Sequence, residues 1–111
     1  MSIANVLTAE ITAYLNATGF VVWRQNSVGK TAGRFLSVKK GVSDIVGYEK
    51  GTGKFIAVEV KIGKDKLTDF QIEFLLGLSK NNCFAIVANN FEQFLGELVL
   101  YHEKFKQTKT K

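Results

Sequence analysis

Val42-Ser43-Asp44-Ile45-Val46 and Phe55-Ile56-Ala57-Val58-Glu59-Val60-Lys61 are the two runs on which the reading of this chain turns. Side chains alternate between the faces of a strand. Glu59 and Lys61 therefore point the same way as Phe55 and Ala57, while Ile56, Val58, Val60 and Ile62 point the other way. Gly47 and the Gly51-Thr52-Gly53 turn between the runs let them pair. Paired so, the Asp44 and Glu59 carboxylates converge beside the Lys61 ammonium. Carboxylate oxygens hold a hard divalent cation, and a fixed positive charge next to it suits phosphoryl-transfer chemistry. The same three residues also fit a solvated cross-strand ion pair worth under about 1 kcal/mol. Taken alone they leave both readings open.

Outward from these runs, the rest of the chain supplies a frame. Ile3, Val6, Leu7, Ile11, Tyr14 and Leu15 have the spacing of an amphipathic helix over residues 3 to about 18, stopped by Gly19. Glu10 falls within or at the edge of that apolar stripe, which makes it either a third carboxylate at the site or a residue reaching out to water. Phe20 to Arg24 reads as a first strand and Gln25 to Ala32 as a polar loop, with Arg34 to Val38 extending the hairpin or forming a short strand. Strands are expected at 42 to 48 and 54 to 62. Thr68 with Gln71 three residues later matches a capping box that opens a helix over 69 to 80. Phe84 to Ala88 has the continuous apolar run of a buried strand. Asn90 caps a last helix through Phe91, Phe94, Leu95, Leu98, Tyr101 and Phe105. The order is helix, three or so strands, helix, strand, helix: an α/β fold with one mixed β-sheet flanked by helices.

The chain of 111 residues, 46% hydrophobic and without proline, is sized for one domain over 1–111, ending in a basic, frayed tail over 104–111. No run approaches the roughly 20 apolar residues of a membrane span, and no signal peptide is expected, so a cytoplasmic protein without membrane contact is anticipated. Cys83 is the one cysteine, which excludes an internal disulfide, and its apolar neighbours mark it as a core residue. There is no G-x-x-x-x-G-K loop or dinucleotide fingerprint, hence no support for a nucleotide cofactor. Net charge is +5, unevenly spread. Between Glu10 and Asp44 no acidic residue occurs, while Arg24, Lys30, Arg34, Lys39 and Lys40 all do. A block of this kind suits a polyanion, whose phosphates release counterions when neutralised.

Asp44, then Glu59-Val60-Lys61, then a helix carrying Gln71, with Glu10 on a helix before them, resembles the PD-(D/E)XK nuclease superfamily. Within it the chain is similar to the VRR-NUC (virus-type replication-repair nuclease) family from about Ile3 to Ala88. The matching segments are Gly41 to Gly47, Ala57 to Lys61 and Leu67 to Gln71. The superfamily's proline before the aspartate is replaced here by Ser43. The resemblance implies a restriction-endonuclease-like core and a metal-dependent DNA endonuclease using Mg2+, with Mn2+ also supporting activity. It assigns Asp44 and Glu59 as metal ligands, Glu10 as a further carboxylate near the metal, Lys61 as the group that orients or activates the attacking water, and Gln71 as a site neighbour as well as a cap. Holliday-junction resolvases share this order of residues and are homodimers. The implied function is therefore a structure-selective endonuclease of phage or bacterial replication and repair, acting on branched DNA as a homodimer. Arg24, Lys30, Arg34, Lys39, Lys40, Lys64 and Lys66 would hold flanking phosphates. A nonenzymatic nucleic-acid-binding module on the same fold and a sequence-specific restriction-type nuclease are the competing expectations.

Overall fold

A computed structural model describes residues 2–25 and 41–109. Ser2 opens helix α1 (Ile3–Ala17) by accepting the Asn5 N–H at 3.1 Å, and Gly19, at φ 107°, turns the chain out of it. Strands β1 (Phe20–Arg24), β2 (Ile45–Glu49) and β3 (Phe55–Val60) follow, then helix α2 (Asp69–Lys80), strand β4 (Phe84–Ala88) and helix α3 (Phe91–Lys109). This is the expected order. The sheet runs β1-β2-β3-β4, antiparallel at the first two junctions and parallel between β3 and β4, where α2 makes the crossover.

Alternation sorts the strands' side chains onto two faces. Phe20, Val22, Ile45, Ile56, Val58, Val60, Phe84 and Ile86 pack with Leu7, Ile11 and Leu15 of α1 and with Phe94, Leu98 and Phe105 of α3. Val46 and Ala57, on the other face, pack with Leu75 of α2 and with Phe55, Ala85 and Val87. The first face is the main core: Ile11, Leu15, Ile56, Phe84 and Phe94 are fully enclosed there, each stabilising the fold by about 1.5–3 kcal/mol through burial.

Three local expectations change. Strands β2 and β3 are shorter than 42 to 48 and 54 to 62 because the Asp44 side chain accepts the Val60 N–H at 2.8 Å, ending the backbone ladder between them. The α1 stripe is narrower, with Ile3 and Val6 exposed. Cys83 is half-buried, in the turn that leads into β4, rather than in the core. No helix among the described residues is long and apolar enough to cross a membrane.

Candidate active site

The two carboxylates meet at one end of the sheet, on the face that α2 covers. Ile45 stands opposite Val58 in the β2–β3 register, which puts Asp44, one residue before β2, across from Glu59. Asp44 holds three strands together. Its carbonyl accepts the Gln25 N–H at 2.7 Å on the β1 side, and its Oδ2 accepts the Val60 N–H on the β3 side.

Glu59 is almost fully enclosed, at 3% exposure. Its Oε2 accepts from Gln71 Nε2 at 2.9 Å and lies 3.8 Å from Lys61 Nζ, whereas its Oε1 is buried without a hydrogen-bond partner. Burial, reinforced by the neighbouring Asp44 and opposed by Lys61, raises the Glu59 pKa from 4.5 to about 7. A buried carboxylate oxygen with no donor, facing a second carboxylate, is costly in the absence of a cation. These oxygens therefore fit a hard divalent ion. Lys61 follows β3 directly, and its N–H still pairs with the Ala88 carbonyl at 3.0 Å, which fixes the root of its side chain.

Gln71 reaches Glu59 because of how α2 begins. The Thr68 hydroxyl accepts the Gln71 N–H at 3.1 Å, and Gln71 Oε1 accepts the Thr68 N–H at 2.8 Å, so the capping box is complete. With the amide oxygen committed to the cap, the amide nitrogen faces the carboxylate. Gly41, at φ 85°, lies so close to this first turn that a Cβ there would run into the Phe70 carbonyl. Neither this contact nor the enclosed Ser43 hydroxyl, which has no partner, is legible in residue types alone.

Glu10 is exposed on α1 and shares a groove with Ile62, Asn89 and Phe91. Among the described residues no three His, Cys, Asp or Glu side chains form a group that could hold a metal ion. Arg24 is exposed and donates to Asn5 Oδ1 on α1 at 3.2 Å, on the face away from the carboxylates. Lys64 and Lys66 are exposed in the loop that links Lys61 to α2. Lys30, Arg34, Lys39 and Lys40, with the strand considered for 34–38, lie outside the described residues.

The VRR-NUC domain model matches residues 19–92, which cover β1 through the start of α3 and include Asp44, Glu59, Lys61 and Gln71; Glu10 lies before the match. Neither a curated protein nor a solved structure matches the chain significantly. With 74 of 111 residues matched and a mixed four-stranded sheet that presents the acidic pair, the lysine and the helix glutamine together, the chain belongs to the VRR-NUC domain family, nucleases of the PD-(D/E)XK type.

Proposed function

We propose that this nuclease is a metal-dependent, structure-selective DNA endonuclease that cuts phosphodiester bonds in branched DNA, a Holliday-junction resolvase of phage or bacterial replication and repair. The observation that carries the metal requirement is the partnerless, buried Glu59 Oε1 beside Asp44. Asp44 and Glu59 would hold the ion, Mg2+ or Mn2+; Glu10, exposed on α1, forms no three-carboxylate group with them. Such an ion neutralises charge developing on the phosphate and makes water more acidic.

The chain's own residues do the rest. Gln71 clamps one Glu59 oxygen and leaves the other without a hydrogen-bond partner, free for the ion. Lys61 places a compact charge where it can hold the attacking water against the phosphate. Lys64 and Lys66, with the basic residues from Arg24 to Lys40, hold flanking phosphates and set no sequence preference. A twofold dimer in the cytoplasm would set two such sites across the symmetric strands of a junction. A pure binding module is disfavoured, because it has no use for two carboxylates turned toward a polyanion.

The test is cleavage of labelled four-way junctions, forks, flaps and linear duplex with EDTA, Mg2+ or Mn2+, by the wild type and by Asp44→Ala, Glu59→Ala and Lys61→Ala. Metal-dependent nicking of junctions, lost in all three variants while DNA binding survives, is the expected result. Full activity in EDTA or in Asp44→Ala would remove the metal assignment, and equal rates on junction and duplex would remove the resolvase assignment. Light scattering that gives a monomer mass with and without junction DNA would remove the dimer.

A further inference from the structure

Among the described residues, the carboxylate face of the sheet is only partly covered. The apolar residues packed with α2 on this face come from β2, β3, β4 and the flanking Val42 and Leu67; among the described residues, none comes from β1. There Trp23 and, on β2, Tyr48 are left 47% and 43% exposed. Their register places them beside the site. Trp23 pairs with Val46, and Gln25, two residues on, sits at the Asp44 position, so the indole occupies the row next to the carboxylates. At strand spacing its Cα is about 8 Å from that of Asp44. Tyr48 is the diagonal neighbour of Trp23 on the same face. The indole is also oriented: its Nε1 donates to Gln25 Oε1 at 3.4 Å, and Gln25 is itself tied to the Asp44 carbonyl.

We propose that Trp23 is a stacking platform for an unpaired nucleobase of the DNA strand whose phosphate occupies the Asp44–Glu59 site. The proposal rests on the nuclease reading of that site and narrows its substrate. A base inside a duplex has both faces covered by its neighbours, whereas a base freed at a branch, gap or flap exposes one to an aromatic ring. Stacking also adds affinity that basic residues cannot give, since it acts on the base and not on the phosphate. The platform therefore favours DNA that carries an unpaired nucleotide next to the scissile phosphate.

Trp23 is the chain's one tryptophan, so fluorescence excited at the red edge, beyond tyrosine absorption, reports that ring alone. In EDTA, with no cleavage, the full chain is titrated with an oligo-dT strand, an abasic strand of equal charge and a blunt duplex, while anisotropy measures binding. Oligo-dT should quench the indole; the abasic strand and the duplex should bind without comparable quenching. Trp23→Ala should weaken oligo-dT binding roughly 5- to 100-fold and leave abasic binding unchanged, with Trp23→Phe close to wild type. Circular dichroism melts check that both variants fold. Equal quenching by dT and abasic strands at saturation, or unchanged dT affinity in Trp23→Ala, overturns the platform while leaving the nuclease site standing. Failure to bind any of the three overturns the nuclease reading with it. A change of oligomeric mass in Trp23→Ala would make this face a contact between copies of the chain and overturn the platform.

Discussion

Gln71 donates from Nε2 to Glu59 Oε2 at 2.9 Å, while its Oε1 accepts from the Thr68 N–H that begins α2. One side chain thus sets where the helix starts and where the carboxylate points. Building the helix cap and orienting the acid are the same act of folding, and two substitutions separate their effects.

Gln71→Glu keeps a capping-box acceptor but replaces the donor to Glu59 with another carboxylate. Gln71→Ala loses both. The alanine variant should lose about 1 kcal/mol of stability through the cap. The glutamate variant should come close to wild-type stability at pH 5, where its added carboxyl and Glu59 are not both charged. Both should cut DNA at least about tenfold more slowly, a loss of about 1.4 kcal/mol in the barrier. Thermal melts at pH 5 and single-turnover nicking read the two effects, and wild-type nicking by Gln71→Glu would reduce Gln71 to a cap.

The Glu59 carboxyl titrates near 4.5 when unfolded and near 7 in the folded, metal-free site, because burial and then Asp44 disfavour its charge. Between those values the folded state binds the extra proton. Stability in EDTA should therefore fall as pH rises from about 4.5 to 7, by up to about 3–4 kcal/mol, and level off above that. Urea midpoints at pH 5 and pH 8 measure the loss, and Glu59→Gln should remove it. At pH 8, Mg2+ at about a hundred times its Kd should restore about 2.7 kcal/mol to the wild type and little to Glu59→Gln.

The order of elements was legible because each is written in local chemistry: the period-two run of β3, the capping box of α2, Gly19 after α1. The convergence of Asp44, Glu59 and Lys61 was legible for the same reason, since strand alternation and a short hairpin suffice to bring them together. Glu10 was harder. It sits about 100° around the helix from the enclosed Ile11, and a margin of one residue separates core from solvent there. Strand ends were missed because an Asp44 side-chain bond, rather than backbone propensity, stops the ladder. The Gln71–Glu59 bond joins segments twelve residues apart and depends on a packing angle that no local pattern encodes.

Gly41 packs directly against the first turn of α2. Its φ of 85° already disfavours a side chain, and an added Cβ would meet the Phe70 carbonyl and lie 2.9 Å from the Gln71 nitrogen. Gly41→Ala should thus destabilise the protein by more than the roughly 1 kcal/mol of the backbone conformation alone. It should also slow cleavage, because the first turn of α2 must move away and carry Gln71 off Glu59. Urea denaturation and nicking at saturating Mg2+ and DNA check both. Wild-type cleavage in a destabilised Gly41→Ala protein would uncouple the loop from the site.

Lys64 and Lys66 stand exposed in the loop that connects Lys61 to the capping box, and the proposed function has them hold a phosphate neighbouring the scissile one. Neither forms an ion pair with the carboxylates, so the role expected of them is affinity rather than chemistry. Replacing both with Ala should weaken binding to every duplex tested, whatever its sequence. The slope of log affinity against log salt should flatten by about 0.9 for each lost contact, or about 1.8 in all. Cleavage at saturating DNA should stay within about twofold of wild type, because removing contacts equal in ground and transition states changes KM and not kcat. Anisotropy titrations over a range of salt, paired with saturating single-turnover rates, separate the cases. An unchanged slope would make the two lysines a solvated surface, and a drop in the saturated rate would place one of them at the reacting phosphate.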